Sequence, residues 1–323
     1  MVRKLQHFIE KEIMALDLSK APRELYDPVA YMMSIGGKRI RPLLCLLSYT
    51  LFNERVDKDI LLPAVGLEIF HGFTLVHDDV MDQAPVRRGY DTVHRKWNAN
   101  VAMLSGDVMC IMAYRYLCEA APRYRDVILH LFGATAAQVC EGQQLDMNYE
   151  HRPCIGEEEY LQMIELKTAV LLAAAAKIGA IAGGATAHDT DSMYEFGRCL
   201  GMAFQVQDDL LDAYGDSGTF GKAIGGDIVT NKKTFLLVYA LKKATGAQRR
   251  DLEYWLQHTG ATPAEKISGV LSIYNELQVR EQAETVIDSY FKQAEAQLCA
   301  VQLADARKEA LRDFSCQLIN RKK

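Results

Sequence analysis

Apolar residues recur along this chain with the period of a helix. Between positions 61 and 76, Leu61, Val65, Leu67, Ile69, Phe70, Phe73, Leu75 and Val76 fall at helical spacing, with no period-two alternation of β-branched residues. The same reading predicts helices over residues 101–117, 127–145, 160–182, 192–214, 234–243, 263–277 and 280–301. Pro28, Pro42, Pro63, Pro85, Pro122, Pro153 and Pro263 are expected at or near helix starts and breaks, where the missing N–H costs least. No Pro/Gly/Ser-rich linker, low-complexity tract or repeat divides the pattern. The expectation is an all-α bundle forming one domain over residues 1–323.

Composition narrows the partners. Apolar residues make up 49% of the chain, ample for a core, and a net charge of −5 argues against nucleic acid as a general partner. Eight cysteines show neither CxxC pairing nor histidines at zinc-finger spacing, so structural zinc is not expected, and scattered thiols fit a reducing, cytoplasmic compartment. The N-terminal stretch turns acidic at Glu10 and Glu12 before any long apolar run, which is unlike a signal peptide. Residues 168–187 are apolar, but Lys177 interrupts them and they are built from Ala and Gly. They read as a closely packed buried helix rather than an integral membrane segment.

The candidate chemistry lies in an acidic pattern that occurs twice. Asp78-Asp79-Val80-Met81-Asp82 and Asp208-Asp209-Leu210-Leu211-Asp212 each end an apolar helical run. The first and last Asp of each copy stand at i and i+4, so their carboxylates share one face. Crowded carboxylates repel, and a hard divalent cation relieves them. Mg²⁺ takes oxygen ligands and shares its shell with substrate phosphates, so two such clusters suggest a clamp for a diphosphate. A single cluster of this kind is more often a solvated helix face or cap than a metal site.

Cations accompany both clusters. Gly36-Gly37 is followed by Lys38, Arg39 and Arg41, and the first cluster by Arg87-Arg88-Gly89, whose planar forks suit phosphate oxygens. Gly221-Lys222 and Asn231-Lys232-Lys233 follow the second. Acids followed by cations, twice, imply an anionic guest.

On these residues the chain resembles the trans-isoprenyl diphosphate synthases, the head-to-tail prenyltransferases that include farnesyl and geranylgeranyl diphosphate synthases. The resemblance rests on GGKRIRP at 36–42, His77-Asp78-Asp79-Val80-Met81-Asp82 with Arg87-Arg88-Gly89, Gly142-Gln143-Gln144-Leu145-Asp146, Lys167-Thr168, Phe204-Gln205-Val206-Gln207 before the second cluster, and the segment from Asp227 to Lys232. It implies the isoprenoid-synthase helical bundle, with a central substrate cavity carrying both clusters at its mouth, as a homodimer. It also implies three Mg²⁺ ions per active site. Asp78, Asp82 and Asp208 would hold metal, with Asp79, Asp209 and Asp212 as alternate ligands or supports for bound waters. Arg87, Lys167, Lys222 and Lys232 would complete a site for the allylic diphosphate (dimethylallyl, geranyl or farnesyl). Lys38, Arg41, His71 and Arg88 would grip isopentenyl diphosphate. Lys167, Thr168 and Gln205 would stand beside the reacting allylic cation, and pyrophosphate would be the base. Gln143 and Asp146 are expected to support the site from a facing helix, or else form a satisfied core polar pair. His77, adjacent to Asp78, should point away from the Asp78/Asp82 face.

Product length is read from the turns upstream of Asp78. Phe73 with Thr74 beside it resembles the geranylgeranyl pattern, so Phe73 is the expected floor of the tail cavity and C20 the expected product. Met103, Met109 and Met112 could meet a longer tail. The alternatives are a farnesyl (C15) synthase, a medium-chain (C25 or longer) synthase, and a noncatalytic modulating subunit. A class I terpene cyclase would have replaced the second cluster and lacked GGKRIRP, and a purely structural helical protein leaves the paired acids and cations unexplained. The basic tail, Asn320 to Lys323, either folds over bound diphosphate or is simply solvated.

Overall fold

The computed structural model describes residues 1–215, 225–258 and 260–320. Its elements in chain order are α1 (Val2–Met14), α2 (Arg23–Ser34), α3 (Ile40–Phe52), α4 (Lys58–Met81), a hairpin of β1 (Val86–Arg87) and β2 (Tyr90–Asp91), α5 (Val93–Lys96), α6 (Ala99–Leu117), α7 (Pro122–Glu150) and α8 (Glu157–Ile164). A π-helical turn (Glu165–Ala169) leads into α9 (Val170–Gly183), followed by α10 (Ala187–Tyr214), α11 (Gly226–Val229), α12 (Phe235–Lys243), α13 (Gly246–Gln257), α14 (Pro263–Glu276), α15 (Val279–Ala300) and α16 (Asp305–Ile319). The fold is all-α, as the periodicity implied.

Caps set several boundaries. The Asn98 side chain accepts from the Val101 N–H at the start of α6, and Thr234 accepts from Leu237 N–H at the start of α12. Thr262 and Glu265 form a reciprocal capping box on α14, with Pro263 in the first turn. Two of the prolines do not mark breaks. Pro28 and Pro63 sit inside α2 and α4, one turn in, and both are buried. Each forfeits one intrahelical hydrogen bond, a loss that apolar packing offsets so close to a helix start.

The residues gather into two compact units. One comprises Met1–Ala134, Ala174–Tyr194 and Cys299–Phe314, and the other Thr135–Ala173, Glu195–Leu298 and Ser315–Lys323. In the first unit α4 packs along α6 and against α3, burying Val65, Leu67, Ile69, Phe70 and Val76 with Leu43, Leu44 and Met109. Core burial at about 25 cal/mol per Å² drives this packing. In the second unit Gly197 and Gly201, one turn apart on α10, lie against Ala173 and Ala169. A Cβ on Gly201 would come within 2.6 Å of the Ala169 Cα, so the absence of side chains permits a close approach. Gln205 is the next residue on that face.

Two helical stretches, Lys58–Met81 and Glu157–Gly183, are long and apolar enough to cross a membrane on length and composition alone, yet 61% and 67% of their apolar windows are buried in protein. Lys177, within the second, pairs with Asp191 at 2.6 Å.

Candidate functional site

Both acidic clusters occupy the last turns of long helices, where the backbone dipole adds to the negative charge and cations are drawn in. Within each, the second aspartate differs from its neighbours. Asp79 is 2% exposed and takes the fork of Arg87, with Nε 2.9 Å from both carboxylate oxygens and Nη2 2.7 Å from Oδ1. Burial pushes Asp79 up, and Arg87 opposes that shift. Asp78 and Asp82 lie on the outer side of the same turn, Asp82 exposed and Asp78 partly so, with Arg87 Nη2 3.7 Å from Asp78. Arg87 thus bridges the buried acid and the outer one.

The hairpin makes this possible. Val86 pairs with Asp91 and Arg87 with Tyr90, and the two turn residues, Arg88 (φ 53°) and Gly89 (φ 82°), are both left-handed, as a tight turn matching strand twist requires. The turn sends Arg88 to the backbone at Gly36, whose carbonyl accepts from Nη1, and the guanidinium lies over Gly37 where any Cβ would collide.

The basic segment before α3 divides in the same way. Lys38 is exposed and Arg41 half-buried, whereas Arg39, in a left-handed conformation at the helix start, turns inward. It donates to Glu68 (2.9 Å), Glu10 (3.0 Å) and the Met33 carbonyl (2.8 Å). Of the cations after Gly37, Arg39 therefore holds the segment to α4 and α1. His71 stands nearby. Desolvation, followed by the charges of Arg41, Arg88, Arg87 and Arg39, drives its imidazole well below the ordinary value, so it is neutral. Thr74 Oγ donates to the His71 carbonyl at 2.9 Å.

Two residues after His71 on α4, the Phe73 ring contacts Phe70 (5.3 Å between centroids) and His77 edge to face (4.8 Å). His77 Nε2 lies 3.0 Å from the Met103 carbonyl on α6. Its side chain is committed to α6, away from the Asp78/Asp82 face. Met109 is buried against α4 and Met103 half-exposed.

The second unit arranges its acids likewise. Asp208 and Asp212 are partly exposed, and Asp209 is sealed in. Asp209 Oδ2 accepts from Tyr160 Oη (2.6 Å) and the Phe235 N–H (2.8 Å), and Oδ1 accepts from Gln205 Nε2 (3.1 Å). Burial and the Asp227 carboxylate push Asp209 up to about 7 against the pull of these donors. The same burial raises Tyr160 well above its usual value, keeping it a donor. Asp212 Oδ2 accepts the Asp227 N–H at 3.0 Å, which fixes the start of α11.

Lys167 and Thr168 occupy the π-helical turn, where one extra residue per turn re-aims side chains. Lys167 Nζ lies 2.5 Å from Asp146 Oδ2 on α7, and Thr168 Oγ1 donates to Gln205 Oε1 at 3.0 Å. Asp146 was expected to support the site, and it holds Lys167. Lys232 is exposed, on the segment between α11 and α12. Lys222 lies outside the described residues, as do Arg321, Lys322 and Lys323. Glu68 and Tyr160 also belong to these constellations. No spacing rule signals them, because their partners are distant in sequence.

The donors suit Mg²⁺: each outer pair is all carboxylate oxygen, partly open to solvent. Among the described residues no three His, Cys, Asp or Glu side chains gather closely enough to enclose a metal. All eight cysteines are free.

A model of the Polyprenyl synthetase family matches residues 22–276. The chain is similar to a short chain isoprenyl diphosphate synthase of Methanothermobacter thermautotrophicus, 35% identical over 96% of this chain and 94% of that protein. It is also similar to a geranylfarnesyl diphosphate synthase of Natronomonas pharaonis, 39% identical over 68% of this chain and 69% of that one. A crystal structure of a geranylgeranyl pyrophosphate synthase superimposes with a TM-score of 0.93 at 38% identity, over 100% of this chain and 99% of the other. With the motif residues placed as described, the chain belongs to the polyprenyl synthetase family and is a trans-prenyltransferase.

Proposed function

We propose that this enzyme condenses isopentenyl diphosphate with an allylic diphosphate (dimethylallyl, geranyl or farnesyl) and releases all-trans geranylgeranyl diphosphate, C20. The observation that carries this reading is the repeated acid geometry: an outer pair of carboxylates at i and i+4 beside a sealed, fully bonded second aspartate, on α4 and again on α10. When bound, Mg²⁺, in three ions per active site, would neutralise the charge developing on the departing diphosphate. Asp78, Asp82, Asp208 and Asp212 are the residues to hold it, with Asp79 and Asp209 supporting from behind. Arg87, Lys167, Lys222 and Lys232 bind the allylic diphosphate, and Lys38, Arg41, His71 and Arg88 bind isopentenyl diphosphate. Thr168 and Gln205 turn oxygen dipoles toward the allylic carbon as positive charge grows there. No protein base is assigned, and the released pyrophosphate takes the final proton.

Phe73 supports C20 because its ring is fixed between Phe70 and His77, one turn before the acids. A C25 product is the second reading, favoured by the similarity to the geranylfarnesyl synthase. The family model runs through both compact units, which supports one functional domain over 1–323. A homodimer is proposed because Met103, Leu104 and Ile111 on α6 and Val127 on α7 are 51–60% exposed. A second copy of this chain would cover that face. The compartment proposed is the cytoplasm, with no nucleic-acid partner.

The deciding experiment is mass spectrometry of products after incubation with Mg²⁺, isopentenyl diphosphate and each allylic primer. Products ending at C20 are expected. Termination at C15 or at C25 and beyond would overturn the length assignment, and no elongation would favour the modulating-subunit reading.

A further inference from the structure

We propose that Asp209 is a positioning residue: acting through the Gln205 amide, it fixes the polarity of the Thr168 hydroxyl, so that Thr168 offers lone pairs rather than its proton to the reacting substrate. This rests on the prenyltransferase reading above and assigns to the second acid of the second cluster a role other than holding metal.

The argument is one of donors and acceptors. The Asp209 oxygens are filled by three donors, Tyr160 Oη and the Phe235 N–H on Oδ2 and Gln205 Nε2 on Oδ1, and the carboxyl group is buried. Tyr160 and the Phe235 backbone fix the carboxyl plane from the side opposite Gln205. An amide can present either its oxygen or its NH₂ to a neighbour, and the two orientations fill the same space. Facing a carboxyl held as an acceptor, the amide must turn its nitrogen toward Asp209. Its oxygen is then left toward Thr168, 3.0 Å from Oγ1. A hydroxyl carries one proton, and here that proton is spent on Gln205 Oε1. What remains on Thr168 Oγ1 is acceptor character alone.

The orientation matters for the reaction. A lone pair aimed at developing positive charge lowers its energy, while a hydroxyl proton aimed there raises it. Were the amide reversed, Gln205 would donate to Thr168 and release the hydroxyl proton toward the substrate. The chain Tyr160–Asp209–Gln205–Thr168 excludes that state before substrate arrives. Close helix packing maintains it: Gln205 continues the face on which Gly201 meets Ala169, directly beside Thr168.

The test compares Asp208→Asn with Asp209→Asn, alone and in a Thr168→Ala background. An asparagine at 209 presents an NH₂ as readily as an oxygen and so permits the reversed amide. Asp209→Asn should lower kcat on the order of 10²-fold, the size expected for one misdirected dipole, with KM for both diphosphates within about threefold. Binding of Mg²⁺ with inorganic pyrophosphate, followed by calorimetry, should match the parent protein, whereas Asp208→Asn should weaken it. In the Thr168→Ala background, Asp209→Asn should cost several-fold less than in the parent, because no hydroxyl is left to orient and only the Gln205 dipole is misdirected. Weakened Mg²⁺–pyrophosphate binding in Asp209→Asn would make it a metal ligand and overturn the proposal. An undiminished effect without the Thr168 hydroxyl would overturn it as well. Should Asp209→Asn fail to fold, Tyr160→Phe loosens the same carboxyl from its far side and is read by the same kinetic split and the same background. If the parent protein makes no prenyl diphosphate, the functional reading fails, while the calorimetry still decides whether Asp209 holds metal.

Discussion

Arg39 and Glu68 form an ion pair, 2.9 Å from Nη1 to Oε1, with side chains only 6% and 5% exposed. It ties the start of α3 to the middle of α4, three residues before His71. Taking one partner away leaves the other charge buried and unpaired. Glu68→Ala should therefore destabilise the protein by about 3–5 kcal/mol, measured by denaturant unfolding. Replacing both, as Arg39→Met with Glu68→Leu, should recover most of that loss. A single-variant effect within about 1 kcal/mol of the parent would contradict the assignment.

Arg87 bridges Asp79 through both carboxylate oxygens and also reaches Asp78. Lysine keeps the charge but cannot span the two oxygens. Arg87→Lys should lower kcat/KM for the allylic diphosphate by roughly ten- to a hundredfold, about 1.4–2.8 kcal/mol. Initial rates at saturating isopentenyl diphosphate test this, and a change under twofold would show that the fork is dispensable.

Phe73 is positioned from behind. Its ring meets His77, which reaches the Met103 carbonyl and sits so close to Gly106 that an added Cβ would overlap the imidazole. Phe73→Ala should lengthen the products beyond C20, and Gly106→Ala, by crowding His77 toward Phe73, should shift them shorter. Product distributions by mass spectrometry decide. Unchanged chain length in Phe73→Ala would remove Phe73 as the floor.

His71 makes stability depend on pH. In the folded protein its imidazole stays neutral well below the usual range, held there by desolvation and then by Arg41 and Arg88. In the unfolded chain it takes a proton below about pH 6.5. Below that pH the unfolded state binds the extra proton, so folding stability falls as pH falls, by up to about 1.4 kcal/mol per pH unit. His71→Gln should flatten the curve between pH 7 and 5.5 relative to the parent, in urea titrations at each pH. Parallel curves for the two proteins would show that His71 titrates alike in the folded and unfolded states, against the assignment.

The helices and the outer acids were legible because both depend on spacing within one element. Asp78 with Asp82, and Asp208 with Asp212, share a face on the strength of the i and i+4 rule alone. What spacing could not show is which acid of three turns inward. Asp79 and Asp209 are sealed by Arg87, Tyr160 and the Phe235 N–H, and nothing local announces those partners. Arg39 is a similar case. Within GGKRIRP it is one cation among three, and only its left-handed backbone, φ 48°, sends it to Glu68 while Lys38 remains exposed. The hairpin that aims Arg87 is two residues per strand, too short for any periodicity to register.

The residues 160–182 read as one uninterrupted helix in the apolar pattern, yet Glu165–Ala169 is wound more loosely than its flanks. A single residue lengthens the path there without ending the helix, and it acts as an angular spacer of about 100°. Deleting one residue at Leu166 would let the segment wind as plain α-helix, a more comfortable backbone than the natural one. The rod would then be smoother, and Lys167 and Thr168 would no longer both face Asp146 and Gln205. Here the irregular winding of one turn is itself a specification, and a sequence optimised for helix stability alone would erase it.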